Sequence, residues 1–187
     1  MIDPELLEID GVTLKRIISA EQIKDKVKSL AQTIENDYKQ SKNPLFICIL
    51  KGSFIFASDL LRSDNGLCEI EFVRLSSYEG TSSTGKVKTM LGMNYDKLRD
   101  RNVVIVEDII DSGNTLALTK KMLQGRNPAS LKLCTLLDKP ARRETPVEVD
   151  YTGFTIPDAF VVGYGLDYAQ KYRNLPYIGV VEFVEGD

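Results

Sequence analysis

The chain has 187 residues and a mass of 21.0 kDa, with 43% hydrophobic and 27% charged residues, the proportions of an ordinary globular protein of one domain. Its 24 Lys plus Arg against 27 Asp plus Glu give a net charge of -3 and a pI of about 5.2, so it has no overall attraction for polyanions, and binding nucleic acid would need a local basic face. Histidine is absent, which excludes Ser-His-Asp and Cys-His nucleophile systems, histidine general bases and histidine-ligated zinc or iron.

Acid-base chemistry must therefore come from carboxylate, Lys, Tyr or Cys. The three cysteines, Cys48, Cys68 and Cys134, are widely spaced and each sits in an apolar stretch, as buried free thiols do in a reducing compartment. The N-terminal sequence MIDPELLEIDGV is acidic and has no basic leader region, and the longest apolar run, Leu45 to Leu50, is far too short to cross a bilayer. A cytoplasmic protein without membrane contact is expected.

Ser19 and Gln22 form a capping-box pattern ahead of Ile23, Val27, Leu30, Ala31 and Ile34, whose spacing lines one face of an amphipathic helix. Pro44 introduces LFICIL, a buried-strand signature that reaches Lys51-Gly52 and leads into a helix over about 54–61. Residues 69–76 alternate polar and apolar through Ile70 and Phe72, as a strand with one wet face does. The small, polar run from Tyr78 to Gly85 reads as a mobile loop, either a catalytic lid or a plain connection.

NVVIVEDII, with four consecutive β-branched residues from Val103 to Val106, is the strongest strand, and a helix follows it through Leu123. Further strands are expected at 131–137, 159–164 and 177–183, with Lys139 to Pro146 as a polar connection. Strands alternating with helices imply a mainly parallel α/β sheet, with ligands at the carboxyl ends of the strands.

Ser112-Gly113-Asn114-Thr115 lies between the strongest strand and its helix. Successive backbone N–H groups at a helix start, a glycine permitting close approach and hydroxyls at Ser112 and Thr115 can cradle a phosphate without a cationic side chain. The same residues also suit a plainly capped helix entry. Glu107 and Asp108 shift the balance, because two adjacent carboxylates ending a hydrophobic strand repel unless they accept hydrogen bonds from a ligand or approach a metal ion. Vicinal sugar hydroxyls meet that need, and Asp111 adds a further carboxylate beside the cradle. The segment reads as a ribose-5-phosphate site.

VVIVEDIIDSGNT resembles the phosphoribosyl pyrophosphate signature of type I phosphoribosyltransferases, and the chain from about 44 to 181 is similar to their hypoxanthine-guanine subgroup. The resemblance also rests on LKGS (50–53), SSYEGTSSTG (76–85), LLDK (136–139) and PDAFVVGYGLDYAQKYRNLPYIG (157–179), in that order.

The resemblance implies a single phosphoribosyltransferase domain over 1–187, a parallel sheet flanked by helices (core about 40–140) under a small hood from about 1–18 and 145–187. It implies Mg²⁺-dependent transfer of the 5-phosphoribosyl group from phosphoribosyl pyrophosphate to N9 of hypoxanthine or guanine, giving IMP or GMP and pyrophosphate, in a homodimer or homotetramer. Xanthine is a further candidate base. Charge would build up in an oxocarbenium-like transition state, so stabilising the departing pyrophosphate is the main task, and Mg²⁺ supplies Lewis acidity to it.

Carried over residue by residue, Glu107 and Asp108 would position the ribose and its Mg²⁺, and Ser112, Gly113, Asn114 and Thr115 would bind the phosphate. Leu50, Lys51 and Gly52 match the pyrophosphate loop, whose Leu-Lys peptide is often cis in the family; Arg173 matches a further pyrophosphate contact, and Asp167 a water-mediated ligand of a second Mg²⁺. Phe160 would stack on the purine, the Val161 carbonyl would accept from a 2-amino group, and Lys139 would donate to the oxygen at C6. Asp111 would face N7 as the acid-base group. Ser77 and Tyr78 match the pair that closes over the pyrophosphate in a flexible lid. Outside this motif set, Phe160 and Val161 suit strand core and Lys139 a solvated loop charge.

Two departures stand out. Asp138 precedes Lys139 where relatives usually carry an apolar residue, and Gly165 stands where alanine is frequent. A type I enzyme acting on a pyrimidine or orotate shares the phosphate cradle, but Lys139 and the 160–167 block argue against it. A regulator gripping RNA or DNA would want clustered basic residues, and Lys139, Arg142 and Arg143 are offset by Asp138 and Glu144.

Overall fold

The computed structural model describes residues 6–9, 11–41, 43–64, 66–76, 88–89 and 93–182. Among them, ten strands, three α-helices and two short 3-10 turns form two sheets. The larger sheet comprises β3 (Leu45–Leu50), β4 (Glu69–Ser76), β5 (Lys88–Thr89), β6 (Asn102–Ile110), β7 (Ser130–Asp138) and β8 (Tyr151–Thr155), in the order β5-β4-β3-β6-β7-β8. Its strands run parallel except β5, which pairs antiparallel with β4. The smaller sheet is antiparallel and contains β1 (Leu6–Ile9), β2 (Val12–Ile18), β9 (Val161–Val162) and β10 (Ile178–Glu182), in the order β1-β2-β10-β9.

The apolar run in β3 is continuous because both of its faces are covered. Phe46 and Cys48 point to the layer of α1 (Ala20–Tyr38) and α2 (Phe54–Ser63), where they meet Ile34, Phe56 and Leu60. Leu45, Ile47 and Ile49 point the other way, toward Leu116 and Leu123 of α3 (Asn114–Gln124). Removing a side chain such as Phe46 or Ile105 from water stabilises the fold by roughly 1.5–3 kcal/mol, so these two cores hold the strand ends in place. Cys48 and Cys134 lie in the first core, where burial pushes both thiols up, Cys48 to about 12. They are inert packing groups.

The capping box of α1 is present in both directions: Ser19 Oγ accepts from the Gln22 N–H at 3.2 Å, and the Ser19 N–H donates to Gln22 Oε1 at 2.8 Å. In β4 the face carrying Ile70 and Phe72 is the open one, 38% and 42% exposed, while Val73 is buried on the opposite face.

The hairpin of β1 and β2 carries charges among its apolar residues and had no strand signature. Strand β8 falls in the stretch expected to begin the hood, yet it pairs with β7 and completes the large sheet. Its sequence, YTGFT, hides the strand because Gly153 replaces a side chain where the backbone of Leu136 passes too close for a Cβ. The strand expected at 159–164 is reduced to the two residues of β9, and the one expected at 177–183 is β10 up to Glu182, with Phe183 outside the described residues.

Candidate active site

At the carboxyl ends of β3, β6 and β7 two cavities lie side by side, with Ile109 and Asp111 lining both. The first, of about 300 Å³, is walled by Glu107, Ser112, Gly113, Thr115 and Leu116, with Leu75 and Leu50 opposite. The second, of about 340 Å³, is walled by Lys51, Gly52, Asp108, Lys139, Phe160, Val161, Leu166, Asp167 and Arg173. Residues separated by more than a hundred positions in the chain therefore converge on one place.

The first cavity is built by the turn from β6 into α3. Gly113 is the N-cap of α3 at φ +82, a left-handed conformation that glycine adopts without penalty, and a Cβ there would press on the Thr145 carbonyl at 2.6 Å. The N-cap is thus a glycine with no side-chain acceptor, although Ser112 Oγ accepts from the Asn114 N–H at 3.4 Å. The helix start with Thr115 and Leu116 faces the cavity, and such N–H groups favour an anion. Asn114 turns its amide outward to Glu144, 2.6 Å from Nδ2 to Oε2, and accepts from the Thr145 hydroxyl.

Glu107 and Asp108 carry the site's unusual charges. Burial holds the Glu107 carboxyl well above the usual range, with the neighbouring Asp108 charge adding to it, and Glu107 Oε2 has no hydrogen-bond partner. Burial likewise pushes Asp108 up to about 6, against the pull of the Asp108 and Ile109 backbone N–H groups and of Arg173. Partly exposed carboxylates at a cavity wall, one of them with an unpartnered oxygen, suit a ligand that brings hydroxyl groups or a cation. Among the described residues no cluster of three or more His, Cys, Asp or Glu is arranged to hold a metal. The donor set fits a Mg²⁺ that keeps water and takes substrate oxygens, in the manner of sites completed by phosphates.

The Leu50–Lys51 peptide is cis, as it often is in the resembled family. Lys51 Nζ donates to Gln170 Oε1 at 3.2 Å. Gly52 lies against Asp108, so that a Cβ would overlap the carboxylate, and a Cβ at Gly165, at φ +105, would run into the Gly52 carbonyl. The departure at Gly165 is thus a close backbone contact beneath the loop. Arg173 is held by Asp167, 2.6 Å from Nη2 to Oδ1, and by the Gly165 carbonyl, 2.7 Å from Nη1. Asp167 also accepts from the Gln170 N–H at 2.9 Å, so both residues assigned to pyrophosphate and metal face the cavity already paired.

In the second cavity Lys139 is only 6% exposed, which makes it a lining residue and not a solvated surface charge. Its backbone N–H donates to the Ile110 carbonyl at 3.0 Å, fixing it beside the end of β6. The Asp138 charge is taken by Arg143, not by Lys139. Phe160 is 45% exposed and makes an edge-on contact with Tyr168, ring centroids 5.7 Å apart, whereas Val161 is buried in β9. Phe160 presents an open aromatic ring at the cavity, not strand core.

Asp111 faces both cavities, with Oδ1 3.1 Å from Arg142 Nε. Arg142 and Arg143, the basic pair considered for nucleic acid, each face carboxylates of the same chain. Sequence reasoning overlooked Ile109, the shared wall, and gave Arg142 no part in the site; its place three residues after Lys139, on the turn 140–142, was the available signal. Ser77 and Tyr78 lie outside the described residues.

Comparison with known proteins places the chain in a family. The family model for the phosphoribosyl transferase domain matches residues 14–169. The chain is 50% identical over 173 residues to the hypoxanthine phosphoribosyltransferase of Buchnera aphidicola (subsp. Schizaphis graminum), covering 91% of this chain and 97% of that one. It is 48% identical over 171 residues to the hypoxanthine phosphoribosyltransferase of Escherichia coli K12, covering 90% and 96%. Among solved structures, a hypoxanthine-guanine phosphoribosyltransferase from Bacillus anthracis with HEPES in its active site superposes with a TM-score of 0.83 at 47% identity, covering 90% of this chain and 98% of that one.

Proposed function

The chain belongs to the phosphoribosyl transferase family, and on that premise we propose the roles of its residues in the reaction. It is a purine-salvage transferase of the hypoxanthine(-guanine) phosphoribosyltransferase type, which moves the 5-phosphoribosyl group of phosphoribosyl pyrophosphate to a purine base. The observation that carries the assignment of roles is the meeting of two cavities at Asp111, one with a helix-start anion cradle and the other with a buried lysine and an open aromatic ring.

In this reading Ser112, Gly113, Asn114 and Thr115 bind the 5-phosphate, and Glu107 and Asp108 accept hydrogen bonds from the ribose hydroxyls. Leu50, Lys51, Gly52 and Arg173 bind the pyrophosphate, with Ser77 and Tyr78 closing over it. Phe160 stacks on the purine and the Val161 carbonyl accepts from a 2-amino group. Lys139 donates to the C6 oxygen; adenine, whose amino group is itself a donor, would leave that buried lysine unmatched. Asp111 exchanges the proton at N7 as charge leaves the base. Glu107, Asp108 and Asp167 would hold a Mg²⁺ ion, which would supply Lewis acidity for the departing pyrophosphate.

We further propose that 1–187 acts as one catalytic unit in the cytoplasm; no helix among the described residues is long and apolar enough to cross a membrane. A homodimer or homotetramer is supported by the open apolar face of Ile70 and Phe72. The test is an ultraviolet assay with Mg²⁺ and phosphoribosyl pyrophosphate, offering hypoxanthine, guanine, xanthine, adenine, uracil and orotate separately. Turnover of hypoxanthine or guanine without adenine or the pyrimidines supports these roles, the xanthine result sets the breadth of the pocket, and turnover of adenine overturns the role of Lys139.

A further inference from the structure

We propose that Arg142 is a positioning residue for the reaction, a clasp that fixes the Asp111 carboxylate relative to Lys139 and to the segment bearing Phe160; this rests on the phosphoribosyl-transfer reading above. Its guanidinium lies between two carboxylates, Nε 3.1 Å from Asp111 Oδ1 and Nη1 3.6 Å from Asp158 Oδ1. The three residues come from three separate segments: the end of β6, the turn after β7 and the loop between β8 and β9.

The turn that carries Arg142 is itself fastened. The Arg142 N–H donates to the Lys139 carbonyl at 3.2 Å, and the Lys139 N–H donates to the Ile110 carbonyl at 3.0 Å. Lys139 is thus tied through its backbone to the residue before Asp111, while Arg142 grips Asp111 itself. Asp158 stands two residues before Phe160, so the same guanidinium reaches the loop that carries the aromatic ring into β9.

A carboxylate has two oxygens, and Arg142 faces Oδ1, a buried atom with no hydrogen-bond partner, so the contact between them is that of an ion pair. In this arrangement Oδ2 would be the oxygen offered to a purine. Arg142 does not line either cavity, so it acts through Asp111 without touching a ligand. Only arginine suits the position, because its planar, forked cation reaches two carboxylates at once, whereas lysine offers a single point of charge. All three side chains are about half exposed, 54% for Arg142, 46% for Asp111 and 53% for Asp158, and pairs this wet add little to folding stability. The arrangement therefore reads as a device for geometry.

The experiment compares the full-length wild type with Arg142→Gln, Arg142→Lys, Asp158→Asn and the double variant Arg142→Gln/Asp158→Asn. Steady-state kinetics with hypoxanthine are run beside equilibrium binding of phosphoribosyl pyrophosphate. Wild-type turnover of hypoxanthine is measured first; its absence would remove the reaction reading itself, before any variant bears on the clasp. Given that turnover, Arg142→Gln is expected to lower kcat/KM for hypoxanthine about fivefold. Affinity for phosphoribosyl pyrophosphate should stay within about twofold, since the phosphate cradle is built without Arg142. Arg142→Lys should recover part of the loss. Asp158→Asn should move kcat/KM in the same direction, and the double variant should be no worse than Arg142→Gln, because both substitutions open one clasp. Unchanged kcat/KM in Arg142→Gln, a parallel loss of phosphoribosyl pyrophosphate binding, or additive losses in the double variant would each overturn the proposal.

Discussion

Glu107 and Asp108 are consecutive on β6 yet serve different cavities, Glu107 lining the one with the anion cradle and Asp108 the one with Lys139 and Arg173. Alternation along a strand sends neighbours to opposite faces, so one dipeptide sets an acceptor on each side of the position where a ribose would lie.

The charge on Asp108 has a measurable cost to the fold. Its folded value of about 6 lies above the ordinary 3.8, so between these values the folded protein binds more protons than the unfolded chain. The contribution to stability is full below about pH 3.8 and is lost as pH rises through about 6. Asp108→Asn is expected to stabilise the ligand-free protein near neutral pH by up to about 3 kcal/mol, seen as a Tm several degrees higher, with the gain vanishing toward pH 4. Thermal unfolding of both proteins across this range checks it, and equal Tm values near neutral pH would refute it. The same variant should bind phosphoribosyl pyrophosphate more weakly.

Asp111→Asn keeps the shape of the side chain and removes its ability to take a proton. A fall in kcat of about 10²–10⁴ is expected, with the dissociation constant for phosphoribosyl pyrophosphate nearly unchanged. Unaltered turnover in this variant would remove Asp111 from the acid-base role.

For Lys139 the sensitive quantity is the choice of base. Lys139→Gln keeps length and polarity but trades a cation for an amide that can also accept, so KM for hypoxanthine should rise about tenfold while discrimination against adenine shrinks. Competition between hypoxanthine and adenine in one assay reads the ratio directly. A ratio equal to that of the wild type would show that selection lies elsewhere in the pocket.

Gly52→Ala tests the close approach of the Leu50–Gly52 loop to β6. The added methyl group would occupy the place of the Asp108 carboxylate, and either the loop or that side chain must move. Affinity for phosphoribosyl pyrophosphate is expected to fall about tenfold or more, with Tm changed by only a few degrees, since the overlap is with a side chain at the cavity and not with the core. Titration calorimetry with the variant separates this from a general loss of folding.

The parallel sheet was legible in the sequence because LFICIL and VVIV are buried on both faces and so carry unbroken apolar runs. The motif residues were legible too, as far as which of them would gather at the strand ends. Periodicity misled where local packing departs from it: β8 is disguised by Gly153, and the apolar face of β4 is the open one. Spacing from Lys139 could bring Arg142 to the site, but its pairing with Asp111 depends on how a three-residue turn after β7 sits against the end of β6. Nor does a sequence report that Arg173 and Asp167 are already joined, which only the folded loop 163–173 decides.

The pairing of β10 with β2 has a consequence for how the protein is made. Strand β2 ends at Ile18 and its partner begins at Ile178, so this ladder cannot form until the residues from Ile178 onward have been made and have left the ribosome. Strands β3, β4 and β6 and helix α3 have their partners earlier, which places the anion cradle among the structures available during synthesis. The wall bearing Phe160 and Val161, which β9 receives from β10, is added last. A nascent chain would thus have its helix-start cradle in place before the wall that faces it.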